Sequence, residues 1–332
     1  MTTRFTRLGA MALLVLAGAA APAYSQVANA AQDAKAAEVL AKTRKALGDK
    51  KLESLKTLSA QAQMDRNLGS VQASSEVELL VEMPDKYVRA EASRGMGGMT
   101  MSTGFNGDKA ILPGGGNVSM GTGGAMVFRM GPGGAMHGEG TKPTPEQLAQ
   151  INTASLKTSR AEVSRMMLGW FGAAHPSLQA KYTYAGEAES PDGKAHVIDV
   201  KDGDGFEARL FIDQNNFLPL MVTYKGRQPR MMTTGGPMTR TVPSSGAPGK
   251  ELTDEERKKL AADTEKMLTQ QMADQPLSDF SLFFEDWQQV DGLTFPHKMR
   301  RAVAGETTEE WTFIKVKVNP KIDPAKFATD AK

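Results

Sequence analysis

Apolar and polar positions change period several times along the chain, and those changes mark out its elements. Ala36, Ala37, Leu40, Ala41, Ala46 and Leu47 recur near a 3.6-residue period, so residues 31–48 read as a helix that stops at Gly48. Residues 55–66 and 71–83 read as strands. Val77, Leu79 and Val81 occupy alternate positions and therefore one face. Pro84-Asp85 begins a turn, and Tyr87, Val88 and Ala90 start a third strand. The longest predicted helix is 144–172, with Thr144 as cap, Pro145 in the first turn, Gln147 completing the cap and Gly172 as stop. Its apolar surface comes from Leu148, Ile151, Leu156, Val163, Met166, Met167, Trp170 and Phe171, and a break is expected near 153–159.

After Pro176 the pattern becomes sheet-like. Short strands are predicted at 181–187, 195–200, 206–212 and 218–224, with Asp192-Gly193 and Asp202-Gly203 as tight turns. Residues 227–249 are rich in Pro, Gly, Thr and Ser and read as a connection. Thr253 and Glu256 form a capping box for a highly charged helix over 253–273. Strands return at 279–289, 293–300 and 307–318, with Asp291-Gly292 as a hairpin turn. No internal repeat is visible. The sum is an α+β fold, one curved antiparallel sheet with helices laid against it.

Residues 94–140 break the pattern, with 16 Gly and seven Met in 47 positions. Glycine costs the most backbone entropy to order and buries no side chain, so this stretch is expected to be mostly loop, with short strands near 99–105 and 125–130. It lacks both the lysine-serine or lysine-threonine ending of a phosphate loop and the spaced glycines of a dinucleotide fold.

Composition narrows the function further. The chain has 332 residues and no cysteine, which excludes disulfides, thiolate metal sites and a cysteine nucleophile. Lys+Arg 40 against Asp+Glu 38 gives no basic excess, so charge provides no argument for nucleic-acid binding. Arg4 and Arg7 precede a 14-residue apolar run, Leu8 to Ala21, and then Pro22, Ala23, Tyr24 and Ser25. That layout is a secretory signal peptide, expected to be cleaved after Ser25 or Ala23. The run is shorter than the roughly 20 residues of a membrane span. The expectation is a periplasmic protein, soluble after residues 1–25 are removed. Residues 31–328 would form a single domain carrying a Gly/Met-rich insertion around 94–140 and a charged helical insertion around 250–274.

Several local motifs add a family resemblance. They are Pro84-Asp85-Lys86-Tyr87, Gly104-Phe105-Asn106-Gly107-Asp108, Leu210-Phe211-Ile212-Asp213 with Leu218-Pro219 and Tyr224, and Phe284-Glu285-Asp286-Trp287 with Val290 to His297. Val316 to Phe327, with Asn319-Pro320 and Ile322-Asp323, completes the set. Over roughly 31–112 and 178–328 the chain resembles the outer-membrane lipoprotein carrier and lipoprotein-sorting-like superfamily. The resemblance implies an incomplete antiparallel β-barrel with helices closing its mouth, and an apolar cavity able to hold acyl chains.

A carrier of that kind needs a sealed apolar surface and no catalytic group, because each buried methylene contributes about 0.8 kcal/mol. Val77, Leu79, Val81, Tyr87, Leu210, Ile212, Met221, Phe283, Trp287, Phe295 and Trp311 are the candidate lining residues, and Leu148, Met166, Met167, Trp170 and Phe171 the candidate lid. For any one of them taken singly, ordinary core packing is the preferred reading. His137, His175, His196 and His297 form no zinc pattern, and Asp202 with Asp204 lacks the spacing of a calcium loop. No catalytic residue, cofactor or metal site is assigned. The functional expectation is noncatalytic binding of a lipid, an acylated protein or another apolar ligand. The alternative is a structural or regulatory protein-interaction module of the cell envelope. A minor alternative is copper binding through Met96, Met99, Met101, Met120, Met126, Met130 and Met136 beside His137, or through Met231, Met232 and Met238.

Overall fold

The computed structural model describes residues 21–68, 71–93, 100–112, 118–120, 126–128, 145–190, 193–227 and 277–329. The expected charged helix at 253–273, the connection at 227–249, His137 and most of the Gly/Met-rich stretch lie outside these residues, as does Thr144. No helix among the described residues is long and apolar enough to cross a membrane.

The chain begins with α1 (Ala21–Leu47) and a single turn, α2 (Lys50–Glu53). Five strands follow in local order: β1 (Thr57–Leu68), β2 (Val71–Glu82), β3 (Lys86–Ser93), β4 (Thr100–Asn106) and β5 (Lys109–Ile111). A small separate hairpin pairs β6 (Val118–Met120) with β7 (Met126–Phe128). Helix α3 (Pro145–Phe171) then leads to β8 (Lys181–Ser190), β9 (Gly193–Lys201), β10 (Glu207–Asp213) and β11 (Pro219–Arg227). The last strands are β12 (Leu277–Val290), β13 (Leu293–Val303) and β14 (Glu306–Val318), and a 3-10 turn covers Pro324–Phe327.

Twelve strands form one antiparallel sheet in the order β5-β4-β3-β2-β1-β14-β13-β12-β11-β10-β9-β8. The first and last strands of the chain meet at its centre, where Leu58 pairs with Val318 and Arg66 with Glu309. Among the described residues the sheet does not close, and β5 and β8 are its two ends. Six interstrand spacings of about 4.8 Å separate β3 from β11, about 29 Å in a flat sheet. Yet Glu162 of α3 accepts a hydrogen bond from Arg89 on β3, and Arg165, three residues or about 4.5 Å farther along the helix, stacks on Tyr224 of β11. The sheet therefore curls around the helix. The observed architecture is the expected α+β incomplete barrel covered by helices.

Both long helices differ from their expected limits. α1 starts at Ala21, well before residue 31 and upstream of the expected cleavage point. α3 runs without the expected break; the Thr153 and Thr158 hydroxyls donate one turn back to the carbonyls of Ala149 and Ala154 at 2.9 Å, a bond the helical conformation accommodates. Val163, Met166, Met167, Trp170 and Phe171 follow the 3, 4, 7, 8 spacing of one helix face, and all are at most 4% exposed. Gly169 lies on the same side. A methyl group there would sit within the ring of Phe284 on β12, so glycine lets helix and sheet touch.

Candidate functional site

The inner face of the sheet and the inner face of α3 form one core. Val77, Leu79, Val81, Tyr87, Leu210, Ile212, Phe295 and Trp311 belong to it together with Met166, Met167, Trp170 and Phe171. Trp287 packs against it while partly buried. The rings interlock: Trp170 lies 5.3 Å from Phe295 and 5.9 Å edge-on to Phe313, and Phe295 lies 5.3 Å edge-on to Phe313. These distances are aromatic contact distances. Thirteen of the sixteen expected lining and lid residues thus meet in one buried cluster beneath α3. Leu148 does not join them and is 45% exposed near the start of α3.

Met221 and Phe283 lie on the opposite face. Their neighbours Val222 and Leu282 point inward and are at most 1% exposed. Successive register partners run Gly186–Val197–Phe211–Met221–Phe283–Arg300 across six strands of the outer face. Phe211, Met221 and Phe283, with Ala188, Ala195 and the 40%-exposed Leu220, line an open groove of about 460 Å³. Glu189, Asp213 and Glu285 also line it, and Arg300 stands beside Phe283. Its guanidinium stacks 4.0 Å from the Phe283 ring centre, while its Nη1 donates to Thr307 at 3.2 Å. On the other half of the outer face Leu80, Val88 and Ile111 are covered by Phe327 and Ile322 from the C-terminal segment.

A cluster of charges on the inner face was not anticipated. Arg89 donates to Glu162 of α3 at 2.6 Å and to Glu91 at 3.0 Å, and Arg66 joins Glu91 at 3.0 Å and Glu309 at 3.1 Å. Arg301 meets Glu309 at 3.3 Å, and the Trp311 indole also donates to Glu309 at 3.3 Å. Burial works against the Glu309 charge, but Arg301, Arg66 and Arg89 outweigh it and hold its pKa below the ordinary carboxylate value. Burial likewise opposes the charge on Arg89, yet Glu162, Glu309 and Glu91 help to raise its pKa. Tyr87 on the same strand is held well above the usual phenol value by burial and by Glu162. A period-two reading from Tyr87 places Arg89 and Glu91 beside it on one face, and that signal could have found two members of the cluster.

His175 is fully buried. Its Nδ1 accepts from the Ser177 amide at 3.2 Å, and burial together with Arg160 lowers its pKa to about 4. Among the described residues no three His, Asp or Glu side chains gather as a metal site.

The sequence matches no protein-family profile and no curated protein. Among solved structures, the chain is similar to a LolA superfamily protein from Nitrosomonas europaea, with TM-score 0.46, 8% identity and coverage of 88% of this chain and 97% of that one. It is also similar to a putative outer membrane lipoprotein-sorting protein domain from Vibrio parahaemolyticus, with TM-score 0.41, 10% identity and coverage of 89% and 97%. A DUF1329 family protein from Desulfovibrio piger follows at TM-score 0.36 and 10% identity, covering 88% and 97%. At these values the likenesses assign neither family membership nor function.

Proposed function

We propose that the protein is a noncatalytic binding protein of the cell envelope that takes up an acyl chain or a similar apolar ligand. The observation that carries this reading is the outer-face groove lined by Phe211, Leu220, Met221 and Phe283. Its volume of about 460 Å³ is within the range of small-molecule sites. From Ala195 on β9 to Phe283 on β12 it crosses three interstrand spacings, about 14 Å. Ten methylenes half-shielded there contribute about 4 kcal/mol, enough for millimolar binding before any polar contact is added. The aromatic cluster of Trp170, Phe295 and Phe313 under α3, by contrast, is read as packing. The envelope location rests on the N-terminal charge and hydropathy pattern.

The test is uptake of a fluorescent fatty acid by the chain without residues 1–25. Met221→Glu and Phe283→Ser should each weaken uptake at least tenfold while thermal stability stays within a few degrees, because both side chains are only half-buried. No uptake, or uptake unchanged in both variants, overturns the reading. A second reading is an envelope protein-interaction module. It is favoured by the position of the groove beside β8, which ends the sheet and can accept an added strand. Binding of an extended peptide that is competed by the fatty acid would identify the groove as that docking site.

A further inference from the structure

The inner-face cluster holds four arginines, Arg66, Arg89, Arg165 and Arg301, against three glutamates, Glu91, Glu162 and Glu309. Arg66, Arg89 and Arg301 each reach a carboxylate. Arg165 does not. Among the described residues it forms no ion pair and donates no hydrogen bond, and its Nε is shut off from solvent. Its guanidinium lies 3.9 Å from the Tyr224 ring centre and 5.4 Å from that of Phe206. Arg301 acts on it as a neighbouring like charge, and the Arg301 Nε is also buried without a partner. Burial pulls the pKa of Arg165 below the ordinary arginine value, and Arg301 adds to that effect. Tyr224 and Glu162 oppose it.

A guanidinium whose Nε is shut off from water and which pairs with no carboxylate is unfavourable, and stacking on aromatic faces offsets only part of the loss. Its planar fork is the shape that pairs with a carboxylate or a phosphate through two parallel hydrogen bonds. We propose that Arg165, with Arg301 beside it and Tyr224 beneath it, is a binding site for an oxyanion, the carboxylate or phosphate group of a small ligand. The site is on the inner face and is independent of the groove on the outer one. Three cations of the cluster are already paired, so the added anion balances the fourth.

The experiment compares thermal unfolding of the whole chain in acetate, inorganic phosphate and chloride at matched ionic strength. At 50 mM, acetate or phosphate should raise the wild-type midpoint by roughly 2–4 °C over chloride. The better of the two identifies the group preferred. Arg165→Met should unfold at a higher temperature than wild type in chloride, because it removes an unpaired charge, and should show no difference among the anions. Arg165→Lys keeps the charge but not the fork and should lose most of the acetate or phosphate effect. The proposal is overturned if the wild type shows no anion preference, if Arg165→Met keeps that preference, or if Arg165→Met is destabilised in chloride.

Discussion

Gly169 offers a sharp test of how α3 sits on the sheet. In an exposed helix interior, glycine to alanine stabilises by about 1 kcal/mol. Here the added methyl would lie within the Phe284 ring, far inside the roughly 3.5 Å of a normal carbon contact. Phe284 is 3% exposed and pairs with Met299, itself 1% exposed, so the ring has little room to retreat. Overpacking of this kind costs about 1–3 kcal/mol and often more where nothing yields. The steric term exceeds the propensity gain, and Gly169→Ala should destabilise the protein by about 1–2 kcal/mol. Urea unfolding followed by tryptophan fluorescence reads this directly, as a lower midpoint at unchanged slope. Shortening the opposing ring with Phe284→Leu in the Gly169→Ala background should recover part of the loss, giving a favourable coupling in a double-mutant cycle. Neutral or stabilising behaviour of Gly169→Ala would refute close contact between helix α3 and strand β12.

Three further outcomes follow from named contacts. His175 is buried and neutral, with a pKa of about 4 when folded against about 6.5 when unfolded, so its stabilisation is complete above pH 6.5 and is lost as pH falls toward 4. His175→Asn should therefore flatten a stability loss of order 3 kcal/mol across that window, measured by urea unfolding at a series of pH values. Glu309 is held below its ordinary pKa, so its contribution persists above the carboxylate range and disappears as pH falls through its folded value. Glu309→Gln should cost about 3 kcal/mol at pH 7, since it leaves Arg66 and Arg301 short of a buried partner, and should reduce acid sensitivity below pH 4.5. Asn319 clamps the two chain ends together, accepting from the Lys56 amide at 2.7 Å and donating to the Ser54 carbonyl at 3.1 Å. Asn319→Ala should lower stability by about 1–3 kcal/mol and speed amide exchange at the start of β1.

Much of the fold could be read because its signals are local. Asp291-Gly292 has φ of 51° and 85°, the two positive values that its hairpin turn requires, and this dipeptide set the β12–β13 register. The α3 face was legible because five core residues keep one helical stripe. The sides of β11 and β12 were not. Leu282, Phe283 and Phe284 are consecutive apolar residues, so no alternation separates inward from outward. Irregularities at Phe211/Ile212 and at Asp286, whose φ is 55°, shift the side again farther along these strands. Met221 and Phe283 were therefore expected beside Trp170 and stand on the other face. The charge cluster was hidden for a different reason. Arg66 meets Glu309 only because the first and last strands pair, a contact across 243 residues that no local pattern encodes. Leu148 matched the helical period, but its place at the start of α3 leaves it exposed.

The central claim is that an apolar ligand binds the outer groove rather than the aromatic cluster beneath α3. Photo-cross-linking with a diazirine-bearing fatty acid, mapped by peptide mass spectrometry, tests it most directly. The account predicts adducts on the peptides that contain Phe211, Met221 and Phe283, suppressed in Phe283→Ser. Adducts concentrated on Met166 to Phe171 of α3 would contradict it and place the ligand under the helix.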